Sequence, residues 1–199
     1  NLLASDCVAV IGTRENTSTG GKITVKTVEL LVKNGFTIVS GLAKGIDTIA
    51  HKTTLKNKGK TIAIIPLIDN IYPAANNQLA QEILNNQGLI ISEEKPGTKF
   101  YSAQLIKRDR IQSGLSKGVF VIETSIKGGS MHATNDAIKL ERPVFTPDIF
   151  KLGKKYQSSK HGEGIKQLTS TSKSISYSSE NYNEVIIKLN FSFQKNTLF

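Results

Sequence analysis

The chain has a single cysteine, Cys7, in 199 residues, which excludes a disulfide-stapled fold. Its place at the head of an apolar run marks it as packed rather than reactive, and a lone thiol fits a reducing, cytoplasmic compartment. No apolar run approaches the roughly 20 residues that span a bilayer, and no secretory pattern opens the chain, so no membrane role is expected. His51, His132 and His161 share no metal-ligand spacing, which argues against a metal centre. The first strand is followed by Gly12-Thr13-Arg14-Glu15-Asn16-Thr17. That segment lacks the second and third glycines of Gly-x-Gly-x-x-Gly and argues against NAD. No Gly-x-x-x-x-Gly-Lys-Ser/Thr element is present, which argues against a P-loop ATPase. Arginine is also scarce: of 26 basic side chains only Arg14, Arg108, Arg110 and Arg142 carry a guanidinium. Their placement therefore matters, because the rigid fork suits phosphate better than a lysine does.

What is present is a globular composition, 38% hydrophobic, with a net charge of +10 and a pI near 9.6. That length buries one full core, or one core with a short appendage. The charge fits a polyanionic partner, and it equally fits a solvated lysine-rich surface.

The stretch over residues 37–51 organises the chain. Thr37-Ile38-Val39 reads as a buried strand, Ser40-Gly41 ends it, and Gly45 permits a tight turn. Ile46, Ile49, Ala50 and Thr53 then recur at helical spacing, with Asp47 in the first turn. Strand ends of this kind leave free N–H groups that bind anions, and Lys44 adds charge to the same loop. The same unit recurs in both directions. Strands are expected near residues 7–12, 61–65, 88–92, 119–123 and 143–145, and helices over 25–32, 74–86, 102–115 and 133–141. This alternation calls for a parallel sheet with right-handed crossovers and helices on both faces. Beyond Pro147 the pattern degrades. Residues 156–164 are polar with glycines, and 169–179 read as a serine-rich loop. Residues 184–189 fit a short helix or strand, and 191–199 a loosely held tail. The expected division is a core over 1–170 and an appendage over 171–199.

In open α/β sheets ligands sit beyond the carboxyl ends of the strands. Three loops there share one chemistry: Gly12-Thr13-Arg14, Ser40-Gly41 with Lys44-Gly45, and Gly128-Gly129-Ser130. Together they outline a phosphate-binding crevice. Asp47 and His51, one helical turn apart, read as a loop brace and a packed ring rather than an acid–base pair. Glu93 and Glu123, at strand ends, read as further loop braces.

These residues carry a resemblance. Gly12-Thr13-Arg14, Ser40-Gly41-Leu42-Ala43-Lys44-Gly45-Ile46-Asp47 with Ala50-His51, Ile71-Tyr72-Pro73 and Ile91-Ser92-Glu93 come in the order found in the DprA/Smf DNA-processing family. Arg108-Asp109-Arg110-Ile111 with Ser113-Gly114-Leu115-Ser116, Gly129-Ser130 with Ala133, and Arg142-Pro143-Val144-Phe145 continue the series. The resemblance covers about residues 8–168. It implies an extended Rossmann-like domain that binds single-stranded DNA, forms a homodimer and aids loading of the RecA recombinase in DNA uptake and recombination. It implies no catalytic metal, no nucleotide cofactor and no enzymatic activity. By position, Arg14 and the Arg108/Arg110 pair, with Lys107 beside them, resemble phosphate ligands. The loops at Ser40-Gly41 and Gly128-Gly129-Ser130 resemble the walls of their pocket.

The chain departs from the family in three places. Asp109 stands where the family has asparagine between the arginines, Leu105-Ile106 where it commonly has Phe-Pro, and Gly128 where serine is usual. Many relatives carry an N-terminal helical domain and a C-terminal winged helix, which leaves this sequence as an excised core or a minimal member. Two other readings of the crevice are a nucleotide-sensing module and a nucleoside-monophosphate phosphoribohydrolase using Glu93 or Glu123.

Overall fold

Runs of β-branched and apolar residues form the centre of the molecule. In the computed structural model, which describes residues 1–192, the strands are β1 (Cys7–Ile11), β2 (Thr37–Ser40), β3 (Thr61–Ile64), β4 (Leu89–Ile91), β5 (Val119–Val121), β6 (Val144–Pro147) and β7 (Ile175–Tyr177). They make one sheet in the order β4-β3-β2-β1-β5-β6-β7, and every pairing is parallel. The helices are α1 (Ser18–Lys33), α2 (Ile46–Lys56), α3 (Asn77–Asn85), α4 (Ala103–Gly114), α5 (Ser130–Lys139), α6 (Lys154–Gln157), α7 (Lys160–Ser170) and α8 (Tyr182–Ser192). The Rossmann-like α/β class expected from the sequence is the one observed.

Every residue of β1 is buried, as a central parallel strand requires. Its side chains alternate between two cores. Val8 and Val10 pack with Val28 and Leu31 of α1, Ala50 of α2 and Leu189 of α8. Cys7, Ala9 and Ile11 pack with Ala133 and Ala137 of α5 and Ile165 and Leu168 of α7. Helices therefore cover both faces. The Phe120 and Phe145 rings stack at 4.7 Å, and Tyr177 meets Phe120 edge-on at 5.2 Å.

The segment after residue 170, expected as an appendage with a serine-rich loop, supplies the edge strand β7 and the covering helix α8. Val185 and Leu189 are buried in the main core. Of the tail expected over 191–199, Phe191 and Ser192 end α8, and residues 193–199 lie outside the described residues. The polar stretch over 156–164 is also structured, as the end of α6 and the start of α7. Its glycines are required by close packing rather than by a loop: a Cβ on Gly164 would stand 2.3 Å from the Thr124 carbonyl oxygen.

After β4 the chain passes over the sheet to β5, on the other side of β1. The loops that follow β1 and β5 thus diverge to opposite faces and leave a crevice between neighbouring strand ends, the usual ligand position in such sheets.

The aromatic stack should dominate stability. Phe120→Ala is expected to cost about 3–5 kcal/mol, measured as a fall in the urea midpoint at unchanged slope.

Candidate nucleic-acid interface

The crevice between the ends of β1 and β5 has a volume of about 420 Å³. Gly12, Thr13 and Arg14 line it from the end of β1, Thr124 and Ser125 from β5, and Gly128, Gly129 and Ser130 from the start of α5. Arg108, Asp109 and Gln112 of α4 form another wall, and Lys160 and His161 enter from the start of α7.

The loop after β1 is fixed from two sides. Thr13 N–H donates to the Glu123 carbonyl (2.8 Å), and the Thr13 carbonyl accepts from Ile46 N–H (3.2 Å). The Glu123 carboxylate accepts from Thr17 N–H (2.9 Å) and Thr17 Oγ1 (2.5 Å) at the head of α1, where a negative charge complements the helix dipole. Burial pushes this carboxyl up, against the Thr17 bonds. Glu123 thus braces the loop that presents Arg14, whose side chain is exposed in the crevice.

Ser40, Gly41 and Gly45 form the layer beneath that surface. Ser40 is fully buried, and its hydroxyl donates to the Val10 carbonyl at 2.7 Å. Gly41 N–H donates to Asp47 Oδ2 at 3.1 Å, joined by Ala43 N–H at 3.4 Å. Gly45, at φ +76°, backs directly onto the Thr13 and Arg14 backbone. None of these three lines the crevice, and Lys44 is exposed away from its lining. Two of the N–H groups expected from this loop to bind an anion, those of Gly41 and Ala43, are occupied by Asp47.

Arg108 packs against this loop. Its guanidinium lies over Gly41, where a Cβ would approach Nη1 to 1.8 Å. Nη1 donates to the Ile64 carbonyl at 2.6 Å, and Nε pairs with Asp109 Oδ1 at 3.3 Å. Only 5% of the residue is exposed. Burial raises the Asp47 carboxyl, opposed by Arg108 and by the Ala43 and Gly41 N–H groups. His51 is buried beneath, with Nδ1 2.7 Å from Thr61 Oγ1, and burial, aided by Arg108, lowers it to about 3.

The expected Arg108/Arg110 pair is not formed at the crevice. Residues two apart on a helix point to different faces. Arg110 instead pairs with Glu93, and Lys107 with Glu94 at 2.9 Å and Glu93 at 3.7 Å. Lys107, Arg110 and Glu93 thus link the end of β4 to α4 outside the crevice. The Arg110 bond is the largest cause lowering the Glu93 carboxyl. Tyr72 stacks on Phe100 at 5.0 Å.

Lys160 was not singled out from sequence, and His161 only as a histidine without metal-ligand spacing. The signal was Ser159, whose hydroxyl accepts from Gly162 N–H at 3.0 Å, ahead of Ile165 and Leu168 at helical spacing, a helix-start pattern. The crevice is therefore of mixed charge: Arg14, Arg108 and Lys160 against Glu15, Asp47 and Asp109.

Residues 1–186 match the family of DNA recombination-mediator protein A. The chain belongs to this family. It is 42% identical over 147 residues to protein Smf of Synechocystis sp., covering 71% of this chain and 37% of that protein. It is 42% identical over 146 residues to DNA processing protein DprA of Streptococcus pneumoniae, covering 73% of this chain and 51% of the relative. The chain thus spans about half or less of these relatives' length. DNA processing protein A of Helicobacter pylori, whose structure was solved for its single-stranded DNA binding mode, superposes with a TM-score of 0.81 at 31% identity. That match covers 94% of this chain and 83% of the other.

Asp109 departs from the pattern that relatives were expected to show, and its setting makes it titrate near neutrality. Burial pushes it to about 7; Arg108 and Arg14 oppose, while Asp47 and Asp136 add to the rise. The unfolded value is about 3.9. The stabilisation from binding this proton is present below about pH 4 and is lost as pH rises through about 7. His51 acts in the opposite sense, its stabilisation being lost as pH falls from about 6.5 toward about 3. Because His51 is common to both proteins, D109N isolates the first effect. Relative to the unsubstituted protein, which keeps the Arg108–Asp109 ion pair, the variant should gain roughly 2 kcal/mol of stability between pH 5 and pH 8, read by thermal denaturation at both values.

Proposed function

We propose that the chain binds single-stranded DNA through the crevice between β1 and β5 and acts in DNA processing during uptake and recombination. One observation carries this reading. Arg14, Arg108, Lys160 and the Gly128-Gly129-Ser130 turn converge on one crevice, in a family with a solved member described by its single-stranded DNA binding mode. The net charge of +10 supports a polyanionic ligand.

Arg14 is the phosphate contact in this reading, because it is exposed while Arg108 is committed to Ile64 and Asp109. Arg108 sets the position of α4, and the α5 turn supplies N–H donors to a phosphate oxygen. Gly12, Thr13, Gly128, Gly129 and Ser130 keep the surface low enough for a sugar–phosphate chain to approach. Self-association and aid to RecA loading extend the reading on the family resemblance, as does a cytoplasmic location with the unpaired, buried Cys7. No described helix is long and apolar enough to cross a membrane.

The phosphoribohydrolase alternative is less well supported. Glu93 and Glu123, the glutamates weighed for it, are held by Arg110 and Thr17, and neither lines the crevice.

Oligo-dT should bind with an affinity that falls steeply with salt. Arg14→Ala should weaken binding to all sequences alike and reduce the salt slope by about 1, measured by fluorescence anisotropy over a salt series. A loss confined to one base sequence would contradict a phosphate role. Ionisation of Asp109 places a negative charge in the crevice, so affinity should fall as pH rises from about 6 to about 8. In D109N the same titration should be flat over that window.

A further inference from the structure

Among the described residues the most exposed large apolar side chain is Phe150, at 69%. It sits on a short 3-10 turn, Ile149–Lys151, directly beyond the carboxyl end of β6. That turn is firmly built. Ile149 is 1% exposed, and Asp148 Oδ1 accepts from Phe150 N–H at 3.1 Å. Asp148 N–H donates to the Tyr177 carbonyl at 2.8 Å, and Lys151 is paired with Glu180. The ring is thus presented to solvent by a braced turn rather than by a loose end.

Its surroundings are basic. Residues 148–163 contain Lys151, Lys154, Lys155 and Lys160 against Asp148 and Glu163. Lys154 and Lys155 are exposed, and the chain continues from them to Lys160, which lines the crevice. β6 lies next to β5 and β5 next to β1. Two strand spacings, roughly 10 Å, therefore separate β1, which leads to Arg14, from β6, which leads to Phe150, along the carboxyl ends of the sheet.

We propose that the Phe150 turn with Lys154 and Lys155 is a second subsite for single-stranded DNA, where an unpaired base stacks on the Phe150 ring and the adjoining phosphates lie on the two lysines. The proposal extends the reading of the crevice and rests on it. An aromatic face beside flexible ammonium groups is the chemistry that binds unpaired nucleotides with little sequence preference. A duplex keeps its bases stacked on one another and offers no free face to the ring. The strand leaves the crevice past Lys160 and crosses the end of β6.

The test compares oligo-dT of about 4 and about 16 nucleotides by anisotropy, with a 2-aminopurine base in the longer one to report stacking. Phe150→Ala removes only an exposed ring and should leave folding intact. It should weaken the long oligonucleotide about tenfold, abolish the stacking signal and leave the short one unchanged, and Phe150→Trp should restore both. Arg14→Ala should weaken both lengths. If Arg14→Ala weakens both and Phe150→Ala weakens neither, the subsite falls and the crevice stands. If Arg14→Ala weakens neither, the crevice reading falls, and the Phe150 arm still reports on the ring by itself. A change in oligomeric mass on Phe150→Ala with DNA affinity unaltered would assign the ring to contact between copies and overturn the proposal.

Discussion

The buried Arg108 guanidinium holds the site together. It lies over Gly41 at the end of β2, donates to the carbonyl of Ile64 at the end of β3, and is flanked by Asp109 on its own helix. A charge so placed costs several kcal/mol unless it is matched, and removing one partner strands the other. Gly41 cannot carry a side chain without displacing it, Asp47 must lie within its field, and α4 must sit where the arginine reaches the sheet. The wall of the crevice formed by α4 is a consequence of that anchoring.

This division of labour separates two kinds of basic residue that composition alone cannot distinguish. Arg108 is spent on the fold, and Arg110 and Lys107 are spent on Glu93 and Glu94. Arg14 and Lys160 project into the crevice from loops and helix starts that other residues brace. The crevice is not uniformly cationic, since Asp109 and Asp47 share it with the basic groups. Under the proposed DNA-binding reading, its attraction for a polyanion depends on the protonation of Asp109, held between Arg108 and Gln112, which donates to it at 2.9 Å.

Six of the seven strands were legible from sequence as apolar runs, and five helices as apolar residues at helical spacing, with glycine or proline nearby to mark the breaks. β7 was not legible, since Ile175-Ser176-Tyr177 is a short edge strand set among serines, and only its partner β6 makes it a strand. α7 was hidden by Gly162 and Gly164, which read as loop residues in one dimension and prove to be contact points in three. The meeting of the loops after β1 and β5 was legible from their shared glycine-rich chemistry, which did not distinguish them from the loop after β2 that lies beneath. The fate of the arginines was not, although helical geometry already places Arg108 and Arg110 on different faces. Phe150 left no pattern, because a single aromatic after a proline reads the same whether its ring is covered or bare.

Backbone amide shifts in an NMR titration of the isotopically labelled chain with oligo-dT test the crevice most directly. The largest changes are expected at Gly12, Thr13, Arg14, Gly128, Gly129, Ser130 and Lys160, around one crevice. Changes confined to the outer surface of α1 and α2, with those amides unmoved, would contradict it.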